Sequence, residues 1–142
     1  MRKDYIDKTI HHKLSQGQAY DLFATSQGLK TIMGEDNWIE MKPMGAYEIY
    51  FLMDNPYGAR GSEGCKVLSF IPGEMISFTW NAPPQYMALR NSGYHTWVVI
   101  DFYQDTIRLR HLGWPDDSAW LPVYKYFDRA WDLVLNRVIQ EK

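Results

Sequence analysis

The stretch Thr106–Trp120, TIRLRHLGWPDDSAW, decides how this chain folds. Ile107, Leu109 and His111 share one parity and Arg108 and Arg110 the other, the period of a strand covered on one face. Gly113-Trp114-Pro115 then breaks the alternation, and Asp116, Asp117 and Ser118 supply side chains suited to capping a helix. Beyond the corner, Trp120, Tyr124, Phe127, Trp131, Leu135 and Val138 recur at steps of three and four residues, forming one broad apolar stripe. Such a helix needs a sheet to lie on. Pro122 suits its first turn, which places the helix start between Asp117 and Leu121.

Working upstream, the two-residue period persists. Segments 45–53, 64–71, 74–80 and 94–103 are rich in β-branched and aromatic residues and are separated by turn residues, with a short strand leading them near 38–41. Ile76, Phe78 and Trp80 alternate with Ser77 and Thr79, the counterpart of the 106–112 pattern. At the other end of the chain, residues 5–14 read as a strand with Ile6, Ile10 and Leu14 on one parity. Ser15 then caps a helix carrying Ala19, Leu22 and Phe23, and a second short turn runs from Gly28 to Met33. No repeat, low-complexity tract or linker divides the chain. Residues 1–142 therefore form a single α+β domain, long enough to bury about 68–70% of its unfolded surface without a metal or disulfide.

In an up-and-down antiparallel run, alternate connections share one end of the sheet. Tight turns at 43–45, 72–73 and 104–105 fall at one end, and the long connections 54–63, 81–92 and 112–118 crowd the other. Long loops in small domains carry function more often than short ones do. The segment 81–92, NAPPQYMALRNS, exceeds what a hairpin needs. It brings Pro83-Pro84 with Tyr86, Met87 and Leu89, and is expected to lie over an opening beside Trp114 and to gate it.

Composition narrows the chemistry. The chain has 15 basic and 17 acidic residues with the basic ones scattered, so no nucleic-acid surface is expected. A single cysteine, Cys65, excludes an intramolecular disulfide, and the start MRKDYIDKTI carries no apolar run. A cytoplasmic protein with no membrane span is the expectation. Six Trp, ten Tyr and six Phe are enough to pack a core and also to line an apolar site. His11 and His12 are adjacent on a strand and point to opposite faces, so no metal site is expected, and no cofactor motif is present. The run 58–64, GARGSEG, lacks the Lys-Ser/Thr of a phosphate loop, and no nucleophile elbow occurs. His111 faces inward near the loop-rich rim. It serves there either as an acid/base group or as a hydrogen-bonded tie between the last strand and the last helix.

The pieces AYDLFATSQGL (19–29), GAYEIYF (45–51), KVLSFIPGEMISFTW (66–80), TIRLRHLGW (106–114) and the helix Trp120–Leu135 together resemble the activator of heat-shock-protein ATPase homologues. These belong to the START and birch-pollen-allergen (SRPBCC) superfamily. Ile32 stands where many relatives carry tryptophan. The resemblance implies a helix-grip fold, a curved antiparallel sheet wrapped around the long C-terminal helix, with a cavity between the two for a small hydrophobic or aromatic molecule. Its expected lining is Tyr47, Ile49, Phe51, Phe78, Trp80, Thr96, Val98 and Ile100 from the sheet, His111 and Trp114 at the rim, and Tyr124, Phe127 and Trp131 from the helix. The competing reading is that these side chains simply fill the space. Two other functions remain open: a lyase or cyclase using His111 with Tyr47 or Tyr124, and a co-chaperone-like module that binds a protein. A monomer and a homodimer both fit.

Overall fold

The computed structural model describes residues 4–34 and 36–142; Met1–Lys3, part of the charged start discussed above, and Glu35 lie outside them. The elements run β1 (Ile6–His11), α1 (Gln16–Ala24), α2 (Ser26–Ile32), β2 (Asp36–Ile39), β3 (Tyr47–Tyr50), β4 (Val67–Ile71) and β5 (Met75–Trp80). They continue with α3 (Met87–Asn91), β6 (Thr96–Phe102), β7 (Thr106–Leu112), a 3-10 turn (Ser118–Trp120) and α4 (Leu121–Gln140). The order is the one read from the sequence, apart from the small helix α3.

Five strands form an antiparallel sheet in the order β1-β7-β6-β5-β4, while β2 and β3 pair separately. A continuous run from residue 45 onward is therefore corrected. β3 ends at Tyr50 and joins the start of β4 through the bridge between Ala46 and Lys66 and the flanking backbone bonds Tyr47 N–H to Cys65, Val67 N–H to Gly45 and Met44 N–H to Val67, rather than as a paired neighbour along its length. The physical reason lies in Glu48. It sits on the parity opposite Tyr47 and Ile49 yet is buried, its carboxylate accepting from the hydroxyls of Tyr50 (2.8 Å) and Tyr57 (2.6 Å) and from Gly64 N–H (3.1 Å). That network folds residues 51–64 back over the strand instead of letting them extend it.

The local caps follow chemistry visible in the chain. Ser15 and Gln18 form a reciprocal capping box on α1, and Thr25 Oγ1 caps α2 by accepting from Gly28 N–H at 3.0 Å. Gly28 admits the close crossing of the two helices, since a Cβ there would lie 2.2 Å from the Asp21 carbonyl oxygen. Asp117 accepts from Ala119 N–H at 2.9 Å and so caps the turn into α4, with Pro122 in that helix's first turn. The stretch 110–120 is thus a structural corner. Gly113 has φ +84° with the Trp97 ring against it, where a side chain would collide. His12 turns inward and its Nδ1 accepts from Leu14 N–H at 3.1 Å.

On β6 and β7 burial alternates as the pattern demands, with Val98, Ile100, Ile107, Leu109 and His111 inward. Across from them α4 presents Val123, Phe127, Trp131, Leu135 and Val138. Among the described residues no helix is long and apolar enough to cross a membrane, and no group of three His, Cys, Asp or Glu is placed to hold a metal ion.

Candidate functional site

The space between sheet and α4 is filled. Tyr47, Ile49, Phe78, Val98, Ile100, His111 and Trp114 each retain 0% of their surface, so none borders a void that a water molecule would enter. Tyr47 stacks on Phe78 with ring centres 4.0 Å apart and donates its hydroxyl to the Phe23 carbonyl at 2.7 Å. Burial raises its pKa well above the ordinary phenol value. In this structure these side chains fill the space between the layers, the alternative that the sequence also left open, with aromatic rings of sheet and helix in contact. Thr96 is buried in a hydrogen-bonded chain, and Tyr124 packs edge-on against Trp114 at 5.1 Å.

His111 shows why the interior is not a reaction site. Trp131 Nε1–H, a donor only, points at His111 Nδ1 at 3.0 Å, so that nitrogen is the acceptor and the proton sits on Nε2. Nε2 then donates to Thr96 Oγ1 at 2.6 Å, and Thr96 donates onward to the Trp80 carbonyl at 3.1 Å. The imidazole thereby ties β5, β6, β7 and α4 together. Burial pushes its pKa down to about 3, because a second proton would find neither water nor an acceptor. With both ring nitrogens engaged inside the core, His111 cannot serve as the proton donor of a lyase or cyclase, and that reading loses its residue. Cys65 is likewise sealed, its thiol raised by burial and chemically quiet.

The opening lies at the rim instead. One cleft of about 190 Å³ is bounded by Met33, Phe51, Trp80, Tyr126, Phe127, Trp131 and Val134, with Leu133 and Arg137 at its outer edge. A second, of about 110 Å³, runs between Phe51, Leu52, Arg60–Ser62, Asn81, Pro83–Gln85 and the same Trp80, Tyr126 and Phe127. Because Phe51, Trp80, Tyr126 and Phe127 border both, the two are halves of one groove between the flank of α4 and the loops. Of the thirteen residues expected at the site, Phe51, Trp80, Phe127 and Trp131 border it. Tyr126, Met33, Val134 and the loop residues were not anticipated. A signal for the first of these exists: Tyr126, Ala130, Val134 and Arg137 form a second stripe at helical spacing beside the main one.

The loops that wall the groove are fixed by charge. Glu63 accepts from the backbone N–H groups of Gly58, Arg60 (2.9 Å) and Gly61 (2.6 Å) and pairs with Arg90 at 3.0 Å, both side chains almost fully buried. Burial opposes its ionisation, but these backbone donors outweigh it and hold the carboxyl below its usual range. Arg90, from α3, also donates to the carbonyls of Gly58 (2.7 Å), Gly61 (2.7 Å) and Ala82 (2.8 Å). Tyr94 donates to the Gly113 carbonyl and packs on Trp120, so all three long connections meet at this rim. The segment 81–92 adjoins the opening through Pro83–Gln85, ahead of the short helix α3, whose Arg90 ties the segment to the neighbouring loop. The short hydrogen bond from Tyr57 to Glu48 pushes that phenol's pKa up to about 12.

These features define a helix-grip protein whose interior is closed and whose groove lies at the loop end of the sheet. Solved structures share the architecture. A protein from Mesorhizobium loti superposes with a TM-score of 0.74 at 12% identity, covering 96% of this chain and 95% of its own. The Aha1 dimer from Colwellia psychrerythraea gives 0.69 at 16%, covering 96% and 93%, and an AHSA1-like protein from Rhizobium etli gives 0.64 at 17%, covering 96% and 80%. At such identities the likeness establishes the fold, which is that of the Aha1-like proteins. No protein-family model matches the sequence, and no curated protein is significantly similar to it.

Proposed function

We propose that the rim groove takes up a small apolar or aromatic molecule without transforming it. The observation that carries this reading is the continuous aromatic wall formed by Phe51, Trp80, Tyr126 and Phe127, shared by both clefts and left open to solvent by a packed core. Each half is small beside the ~300–1,000 Å³ of drug-sized sites, which suits a narrow chain or one or two rings. Trp80 lies 5.5 Å from Trp131 in the same wall, so occupation reports itself in tryptophan emission. Titration with 1-decanol and biphenyl-4-methanol is expected to shift that emission and raise the melting temperature, and Trp80→Phe to abolish most of the spectral response. Unchanged emission and melting across both compounds would remove the proposal.

A second reading, a protein-binding module, is favoured by one observation. Phe51, Leu52, Met53 and Tyr57 are 42–61% exposed on one hairpin, beside Leu133 on α4 at 66%. Contiguous exposed apolar groups mark interaction surfaces, and a structural neighbour is a dimer. If this face pairs two copies, sedimentation will give a dimer that Leu52→Asp converts to monomer.

A further inference from the structure

The two clefts are apolar along their length, yet their charged lining is of one sign, Asp54 bordering only the neighbouring hollow that shares Met33, Phe51 and Leu52 with them. Among the described residues that border the two clefts, the charged ones are Arg60 in the smaller and Arg137 in the larger; no carboxylate borders either. The two guanidinium groups differ in what they have left to give. Arg137 is exposed, and its Nη1 donates to the Ile32 carbonyl at 3.1 Å beside α2. Arg60 is half-buried and held more firmly, its Nε donating to the Asn55 carbonyl at 2.7 Å. That bond fixes the plane of the group while leaving both Nη nitrogens without a partner among the described residues. The nearest acid in sequence, Glu63, does not neutralise it: its carboxylate is taken by Arg90 and by backbone N–H groups, including that of Arg60 itself.

Resting on the reading of the groove as a ligand site, we infer that its ligand is an amphipathic anion. A carboxylate sits on the Nη pair of Arg60, and the apolar body crosses Tyr126 and Phe127 into the cleft beside Trp131. The chemistry that selects it is the match between a planar guanidinium, anchored at one edge, and a planar carboxylate that accepts two parallel N–H bonds. An uncharged alcohol of the same length fills the cleft equally well but leaves the fork unused.

Decanoate and 1-decanol, compared by calorimetric titration of the whole chain, test this. Wild type is expected to bind decanoate at least tenfold more tightly than decanol. Arg60→Gln is expected to reduce that ratio to within twofold, the loss falling mainly on decanoate, whereas Arg137→Gln preserves it. Arg60→Lys, which keeps the charge but not the fork, is expected to retain only part of the preference, and far-ultraviolet circular dichroism verifies that each variant is folded. Equal affinity of the wild type for the two compounds overturns the anion while the groove reading stands. Loss of preference in Arg137→Gln instead of Arg60→Gln overturns the assignment of the head group, and binding of neither compound overturns the groove itself.

Discussion

The interior between sheet and helix and the rim at the loop end both bury polar groups, but they do so by opposite means. Inside, one neutral imidazole is satisfied by one donor and one acceptor, Trp131 and Thr96, and its charged form is excluded. At the rim an ionised pair, Glu63 and Arg90, is buried and surrounded by backbone N–H and carbonyl groups. A neutral group with matched partners lets aromatic side chains close around it without a void. Here the buried ion pair is held in a cage of irregular backbone, and that backbone walls the groove beside α4. In this fold the sealed core and the open site accompany two ways of satisfying buried polarity.

The rim is where that comparison breaks most readily. Arg90→Met removes five hydrogen bonds and leaves Glu63 charged and unpaired, a change expected to cost about 3–5 kcal/mol in urea unfolding at neutral pH. Amide exchange of residues 58–63 is expected to accelerate more than that of β6 and β7. A cost below about 1 kcal/mol, with the loops merely opening, would show that 81–92 is a gate.

A smaller effect separates the interior by its response to acid. The pKa of His111 in the folded chain, about 3, lies below the ordinary 6.5, so the unfolded chain takes up this proton first as the pH falls. Its contribution is therefore complete above about pH 6.5 and is lost progressively towards pH 3, at up to about 1.4 kcal/mol per pH unit. His12 and His95, also lowered by burial, act in the same direction. The comparison must therefore be with a variant: His111→Gln is expected to lower stability at pH 7 by about 1–3 kcal/mol and to flatten the slope between pH 6.5 and 4.5 by close to one proton. An unaltered slope would mean that His111 meets water.

The two regions also differ in how far they were legible from sequence. Alternation in 74–80, 94–103 and 106–112, the stripe from Trp120 to Val138 and the cap at Ser15 all report local geometry, and each element stands where its period placed it. Inward placement of His111 followed from parity. Its role did not, because that is set by Trp131, Thr96 and complete desolvation. Glu48, Glu63 and Arg90 were unreadable for a related reason. Such residues are ordinarily exposed, and their burial here rests on partners up to 32 positions away, most of them in the irregular loop 51–64. The aromatic residues were recognised as special without a means of telling filling from lining. That depends on whether α4 seats flush on the sheet, and it does so along its main stripe while leaving the flank of Tyr126 uncovered.

Phe51 is the residue on which this distinction is sharpest, and its substitution is expected to have the smallest effect on folding. It continues the parity of Tyr47 and Ile49, yet those two are sealed while Phe51 is 45% exposed and borders both clefts. Tyr47 and Ile49 lie within β3, where pairing with β2 holds them against the core; Phe51 lies one step past the strand's end, where the chain has turned towards the Glu48 and Glu63 networks. Phe51→Ser should accordingly cost only about 1 kcal/mol of unfolding free energy, less than truncating a sealed neighbour, because nearly half of the residue is already in water. Affinity of the groove for decanol should fall by about tenfold, since the side chain walls both halves, equivalent to about 1.4 kcal/mol. Destabilisation of several kcal/mol would place Phe51 in the core with its neighbours, and undiminished affinity would move the ligand off the shared wall.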